Sequence, residues 1–252
     1  MYLSRHKHLL SVPIMLSAIV RLVGSVCRVI IRLILNQKDS MTPDMINTFL
    51  WRVQTLFSFL EIAVIAGVFY FTWKKLTCYR DTVEADDWKE IGRLQEETFG
   101  AKLSSLSAEA IMQLLQLWAI ILIGAESVYY ISSLIYKRVT SQLILLITDV
   151  DQYNDFFSIY NQTHGFKYLA MLTAILLGIL MTAIFLRDRR LGISVLIIAV
   201  LFLLAFGILQ MQTITFSGRE IGIVWTSVIF HMTETVGLFG FSVYLAKHYK
   251  GL

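Results

Sequence analysis

Six apolar runs, separated by shorter polar stretches, organise the chain. They fall at about Leu9–Leu35, Thr48–Trp73, Ala110–Tyr136, Tyr168–Leu186, Leu191–Gln212 and Gly222–Ala246. Each reaches or approaches the roughly 20 residues that an α-helix needs to cross a bilayer core. The pattern predicts an all-α, polytopic membrane helix bundle of six transmembrane helices, forming one domain over residues 1–252. The fourth and fifth runs are the cleanest: Tyr168–Leu186 and Leu191–Ile208 hold no charge. Only Arg187, Asp188, Arg189 and Arg190 stand between them, which predicts a tight helical hairpin. The first run differs, because Arg21, Arg28 and Arg32 interrupt it. An interfacial helix with its arginines toward lipid phosphates would read the same way and would reduce the count to five.

The polar stretches have patterns of their own. Between about 74 and 109, Trp88, Ile91 and Leu94 recur at helical spacing among acids and bases, which predicts an amphipathic helix. Such a helix can lie on the membrane interface or dock a membrane or cytoplasmic protein partner. Gly100 is placed to end it, and Ser107 to cap the third span. The stretch at about 137–167 is expected as a second loop. It carries an apolar piece, Leu143–Val150, then Asp149, Asp151 and Asp155 among Tyr153, Phe156, Phe157 and Tyr160. These acids lack the calcium-loop pattern of an EF-hand, so a solvated acidic loop is the expectation. Asn161-Gln162-Thr163 fits a glycosylation sequon.

Lysine and arginine counts in short loops set orientation. Arg5, Lys7, Lys74, Lys75, Arg80, Arg187, Arg189, Arg190, Lys247 and Lys250 fall on one side. Lys38, Lys137, Arg138, Lys167 and Arg219 fall on the other. The bias puts both termini and the 74–109 loop in the cytoplasm and the 137–167 loop outside, with Lys137–Arg138 as the discordant pair. A multi-pass protein of the plasma (inner) membrane is the expectation. The basic start, Arg5 to His8, resembles a secretory leader, but no small-x-small cleavage site follows, so the first run is read as a retained helix.

Composition agrees with a lipid solvent. Hydrophobic residues make up 56% of the 252 and charged residues 16%, against roughly 45–50% and about 25% in soluble domains. Mean hydropathy is +0.66. The net charge of +4 is spread over the ends of apolar runs, and no basic patch with interleaved aromatics stands clear of them, so a nucleic-acid partner is not expected. The two cysteines, Cys27 and Cys78, lie in different segments without zinc-type spacing.

The candidate chemistry lies at depth. Counting inward from the ends of each span, Arg21 falls beside the midpoint of the first and Glu61 at that of the second. Glu126 lies one turn past the third midpoint, near Ile123, and Glu234 falls at the sixth. A charge at a helix centre costs roughly 2.5–3.5 kcal/mol on insertion scales, so such residues should face the protein interior and find partners. His231 and Glu234 are three apart and share a helical face, which Thr235 extends. Gln113 and Gln116 add polar groups to the third span. Ser17, Arg21, Gly24, Ser25, Arg28 and Arg32 form a stripe on the first, too sparse for the every-third-residue array of a voltage sensor.

Three functions fit these residues. Glu61, Glu126 and Glu234, with His231 as relay and Arg21 as counter-charge, can line a path for protons, ions or a small solute, as in a transporter or channel. The same charges can be structural, in a non-transporting sensor, accessory or assembly subunit. His231 and Glu234, joined by Glu61 or Glu126, can hold a zinc or iron ion for intramembrane catalysis. No cofactor beyond that metal ion is implied. Walker, nucleophile-elbow, dinucleotide and H-E-x-x-H motifs are absent.

Overall fold

The computed structural model describes residues 8–36, 43–80, 89–90, 93–94, 96–97, 102–103, 106–144, 146, 150–215 and 219–252. The protein is all-α apart from two dipeptide strands. Among the described residues there are six long helices, α1 (Ser11–Asn36), α2 (Pro43–Arg80), α3 (Ala108–Ile144), α4 (Val150–Phe185), α5 (Arg189–Thr215) and α6 (Arg219–His248). The shortest has 26 residues, which at 1.5 Å per residue is about 39 Å and longer than a bilayer core of about 30 Å. Among the described residues, four stretches are long and apolar enough to cross a membrane: Thr55–Cys78, Ala108–Ile135, Tyr168–Phe185 and Arg189–Phe206.

The outward faces show which solvent these helices suit. On α5, Ile193, Leu196, Ile197, Val200, Leu201 and Leu204 are all exposed, Leu201 to 60%. A monomer in water does not leave so continuous an aliphatic surface uncovered. On α1 the pattern is inverted relative to a soluble helix. Val12, Leu16, Ile19, Val23 and Val26 are exposed, while Ser17 and Arg21 are buried. A helix lying flat on the interface would turn Arg21 outward toward phosphates. The buried Arg21 and the outward aliphatic side chains differ from that arrangement, and the described apolar part of α1, Ser11–Cys27, is shorter than the four candidate spans.

Helices continue past the apolar windows, because hydropathy marks only the part in contact with lipid. Of the stretch at about 137–167, expected as a loop, residues 137–144 are the end of α3 and residues 150–167 the first half of α4. Asp151, Asp155 and Asn161–Thr163 lie within helical turns, while Asp149 lies outside the described residues. In the 74–109 stretch, Trp88, Ile91 and Gly100 lie outside the described residues. Lys89, Glu90, Arg93, Leu94, Glu96 and Glu97 are helical there, and Arg93 Nε lies 3.8 Å from Glu97 Oε1. Ser107 does cap α3: its hydroxyl oxygen accepts from the Ala110 N–H at 3.3 Å.

The chain forms two compact units. The first comprises Met1–Ile123 and Thr235–Leu252, and the second Gly124–Glu234. In the first, α1 packs on α2. Strands β1 (Lys102–Leu103) and β2 (Tyr249–Lys250) pair in parallel, with Lys102 opposite Tyr249. Just beyond β2, the Leu252 carbonyl accepts from the N–H groups of Leu10 (2.8 Å) and Ser11, and the Gly251 carbonyl from that of Leu9 (3.3 Å). The start of α1 has N–H groups without intrahelical acceptors, and the last residues supply them. Residues 9–11, 102–103 and 249–252 therefore meet.

In the second unit α4 packs on α5, joined by a closely bonded turn. The Arg187 N–H donates to Ile184 O (3.1 Å) and the Asp188 N–H to Ala183 O (2.8 Å). This is a Schellman arrangement with Arg187, at φ 52°, in the left-handed C′ position. Asp188 then caps α5, its Oδ1 accepting from the Arg190 and Leu191 N–H groups, each at 3.1 Å. Asp188→Ala is expected to remove about 0.5–2 kcal/mol, seen as a lower unfolding midpoint in detergent.

Candidate polar site within the helices

The buried face of each helix repeats at three and four residues, and on four helices an ionisable group occupies a position that an apolar residue would otherwise fill. On α2 the stripe runs Ser58, Glu61, Ile65, Phe69 and Leu76. On α3 it runs Ile111, Leu114, Leu115, Trp118, Leu122 and Glu126. On α6 it runs Phe230, Glu234, Leu238, Phe241 and Leu245. Arg21 follows Ile14, Ser17 and Ala18 on α1. The exposures of Arg21, Glu61, Glu126 and Glu234 are 3%, 5%, 6% and 2%. Each lies within about one turn of its helix centre. Glu126 is closer to its centre than the apolar run suggested, because α3 extends to Ile144.

Gln113 and Gln116 were expected to add to this polar interior. Both are exposed. The α3 stripe passes through Leu114 and Leu115 instead, and the glutamines point to the opposite side. Of the α1 stripe, Ser17, Arg21 and Gly24 are buried and Ser25 half-buried, and the Arg28 and Arg32 side chains lie outside the described residues. The Ser17 hydroxyl donates back to Pro13 O at 2.8 Å, so it is satisfied within its own helix.

The ionisable residues fall into two groups. Arg21 and Glu61 belong to the first unit, on the packed pair α1 and α2. Glu126, His231 and Glu234 belong to the second. There His231 Nδ1 lies 3.8 Å from Glu234 Oε2, an ion pair when the imidazole is protonated. The half-buried His231 ring meets Tyr168 edge-on at 5.5 Å between centroids and Tyr129 at 6.3 Å. The Tyr129 and Tyr168 hydroxyls are hydrogen-bonded at 3.1 Å. Tyr168 stacks on Phe230 (5.4 Å), and Phe202 meets Phe230 edge-on (4.7 Å). Aromatic pairs are worth about 0.5–1.5 kcal/mol each beyond their area, and Tyr129 and Tyr168 both lie against the His231 ring.

The two tyrosines are the residues that sequence reasoning missed. Tyr129 is three residues beyond Glu126 and shares its face, the same spacing that links His231 to Glu234. Tyr168 opens the apolar window of α4, and Tyr129 lies about 9 Å from the end of that of α3. The group therefore lies toward one end of these two windows, where an amphipathic phenol is at home.

Hydroxyl, imidazole and carboxylate all exchange protons, so this set can pass a proton or hold a cation. Among the described residues no three His, Cys, Asp or Glu side chains are grouped to hold a metal ion. His231 and Glu234 supply two ligands, and a catalytic zinc site takes three from the protein. No protein-family model, no curated protein and no solved structure matches the chain.

Proposed function

We propose that the protein moves protons, inorganic cations or a small solute across the membrane, with Glu61, Glu126 and Glu234 as the titrating groups, His231 as relay and Arg21 as counter-charge. One observation carries this reading. Ionisable side chains from four helices are buried near the helix centres, on helices whose outer faces are aliphatic. Three carboxylates against one guanidinium is a costly composition for a purely structural core. Charged groups at membrane depth are retained where they line a path for protons or ions. In this reading both termini are cytoplasmic, and the Tyr129–Tyr168–His231 group lies toward the outer side of its own unit.

The test uses purified protein in proteoliposomes with an interior pH dye. Glu61→Gln and Glu234→Gln, made singly, are each expected to lower proton flux or proton-coupled uptake by about tenfold or more, equivalent to ~1.4 kcal/mol of barrier. Flux unchanged in both removes the carboxylate path. It leaves the protein a non-transporting subunit, whose natural contact would be the helical stretch around Leu94.

A further inference from the structure

The α4–α5 turn carries chemistry that the polar site does not use. Arg187, Arg189 and Arg190 are all exposed, at the point where one apolar window ends at Phe185 and the next begins at Arg189. Beside them on the same two helices stand exposed apolar side chains: Ile184 (68%), Phe185 (45%) and Ile193 (47%). Guanidinium groups and acyl-chain contacts are thus adjacent, as at the boundary between headgroups and hydrocarbon.

Asp188 is the single acid in the turn, and its Oδ1 accepts from two backbone N–H groups of α5. Its carboxylate is thereby held at the cap. Three cations against one acid leave the turn with a formal excess of two positive charges. Arg187 adds a second indication. It occupies a left-handed position that glycine takes without strain and that costs other residues roughly 1–2 kcal/mol. A non-glycine residue retained in such a conformation points to a use for its side chain. The turn is flanked by two helices that pack together, and a Cβ on Gly192 would meet Ala183 Cβ at 3.9 Å.

We propose that this turn binds the phosphate groups of anionic phospholipids. The three guanidiniums offer bidentate donors to phosphate oxygens, and the neighbouring aliphatic side chains receive the acyl chains of the same lipid. Basic residues at a membrane surface each add to the attraction for anionic lipid. The pre-formed turn removes the ordering cost that a flexible basic segment would bear.

Native mass spectrometry of the full chain, released from nanodiscs of phosphatidylcholine with a minor fraction of phosphatidylglycerol, counts retained anionic lipid. The triple variant Arg187→Gly, Arg189→Gln, Arg190→Gln is expected to lower phosphatidylglycerol retention about tenfold or more. Glycine suits the left-handed position, so Arg187→Gly alone keeps the turn and is expected to lower retention part of the way while raising the unfolding midpoint. The control variant Lys74→Gln, Lys75→Gln, Lys247→Gln removes three exposed charges elsewhere and is expected to lower retention clearly less, by their general attraction alone. Equal loss in both triple variants, or full retention in the arginine variant, overturns the proposal. Retention does not depend on transport, so its outcome stands apart from that of the proton-flux experiment.

Discussion

Replacing Arg21 by methionine is expected to destabilise the folded protein by about 3–5 kcal/mol if its guanidinium and the Glu61 carboxylate compensate each other, the range for removing one partner from a buried charge pair. Arg21 and Glu61 are each nearly inaccessible, on two helices packed directly together. Methionine keeps the length and apolar stem of arginine, so the loss reports the charge more than the volume. Under the same condition Glu61→Gln alone should cost as much or more, because it leaves a buried guanidinium that cannot shed its charge. The double variant Arg21→Met, Glu61→Gln separates the causes. If the two groups compensate each other, it is more stable than Arg21→Met by about 1–3 kcal/mol of coupling. Additive losses would show that each is held by other groups. Unfolding in mixed micelles, followed by tryptophan fluorescence, gives all four stabilities of the cycle. Because a lone arginine at a helix centre opposes insertion by roughly 2.5–3.5 kcal/mol, Arg21→Met should also insert α1 more readily while folding less stably. The two effects have opposite sign, and the folded-state assay reads only the second.

Trp118→Ala is the second large loss, at about 3–5 kcal/mol. Trp118 is the largest side chain with no exposure, and its ring lies 5.3 Å from that of Phe241 at an interplanar angle of 32°. Lipid tails are as apolar as the protein interior, so helix association in a membrane depends on packing and not on expulsion of water. A cavity of indole size therefore removes contacts that lipid does not restore. Trp118→Phe, which keeps an aromatic partner for Phe241, should lose clearly less. Thermal unfolding in a fixed detergent ranks the three proteins, and an alanine variant as stable as wild type would show that the site collapses to fill the space.

Much of this architecture is legible in the residues because a membrane gives apolar runs one dominant meaning. Depth is legible for the same reason: counting inward from run ends places Arg21, Glu61 and Glu234 at helix centres, where the structure has them buried. Facing is harder to read. Gln113 and Gln116 look like interior residues by polarity, yet α3 buries Leu114 and Leu115 beside them, because helical phase and not polarity decides which side meets the protein. Tyr129 and Tyr168 carry no charge and occur commonly at membrane boundaries, so nothing in their local sequence separates a boundary anchor from a residue that holds a histidine ring. Helix ends are not legible at 137–167, where the described residues continue as polar helix beyond the apolar part. The pairing of Lys102–Leu103 with Tyr249–Lys250 has no local signal at all. Two residues cannot show alternation, and the partner lies far along the chain.

That pairing bears on how the protein comes into being. The first compact unit is assembled from residues 1–123 and 235–252, so it cannot close as its first helices leave the ribosome. At about 5–20 residues per second, the acceptors at Gly251 and Leu252 emerge roughly 10–50 s after Leu9, Leu10 and Ser11. Through that interval α1 and α2 must keep Arg21 and Glu61 sheltered without the strap formed by the last residues. A chain halted before Tyr249 has every long helix in place but lacks the groups that bond the start of α1 and the edge of Lys102–Leu103. Closure of the first unit therefore waits for residues 249–252, and the cell's membrane quality control would meet a chain halted before them in the open form.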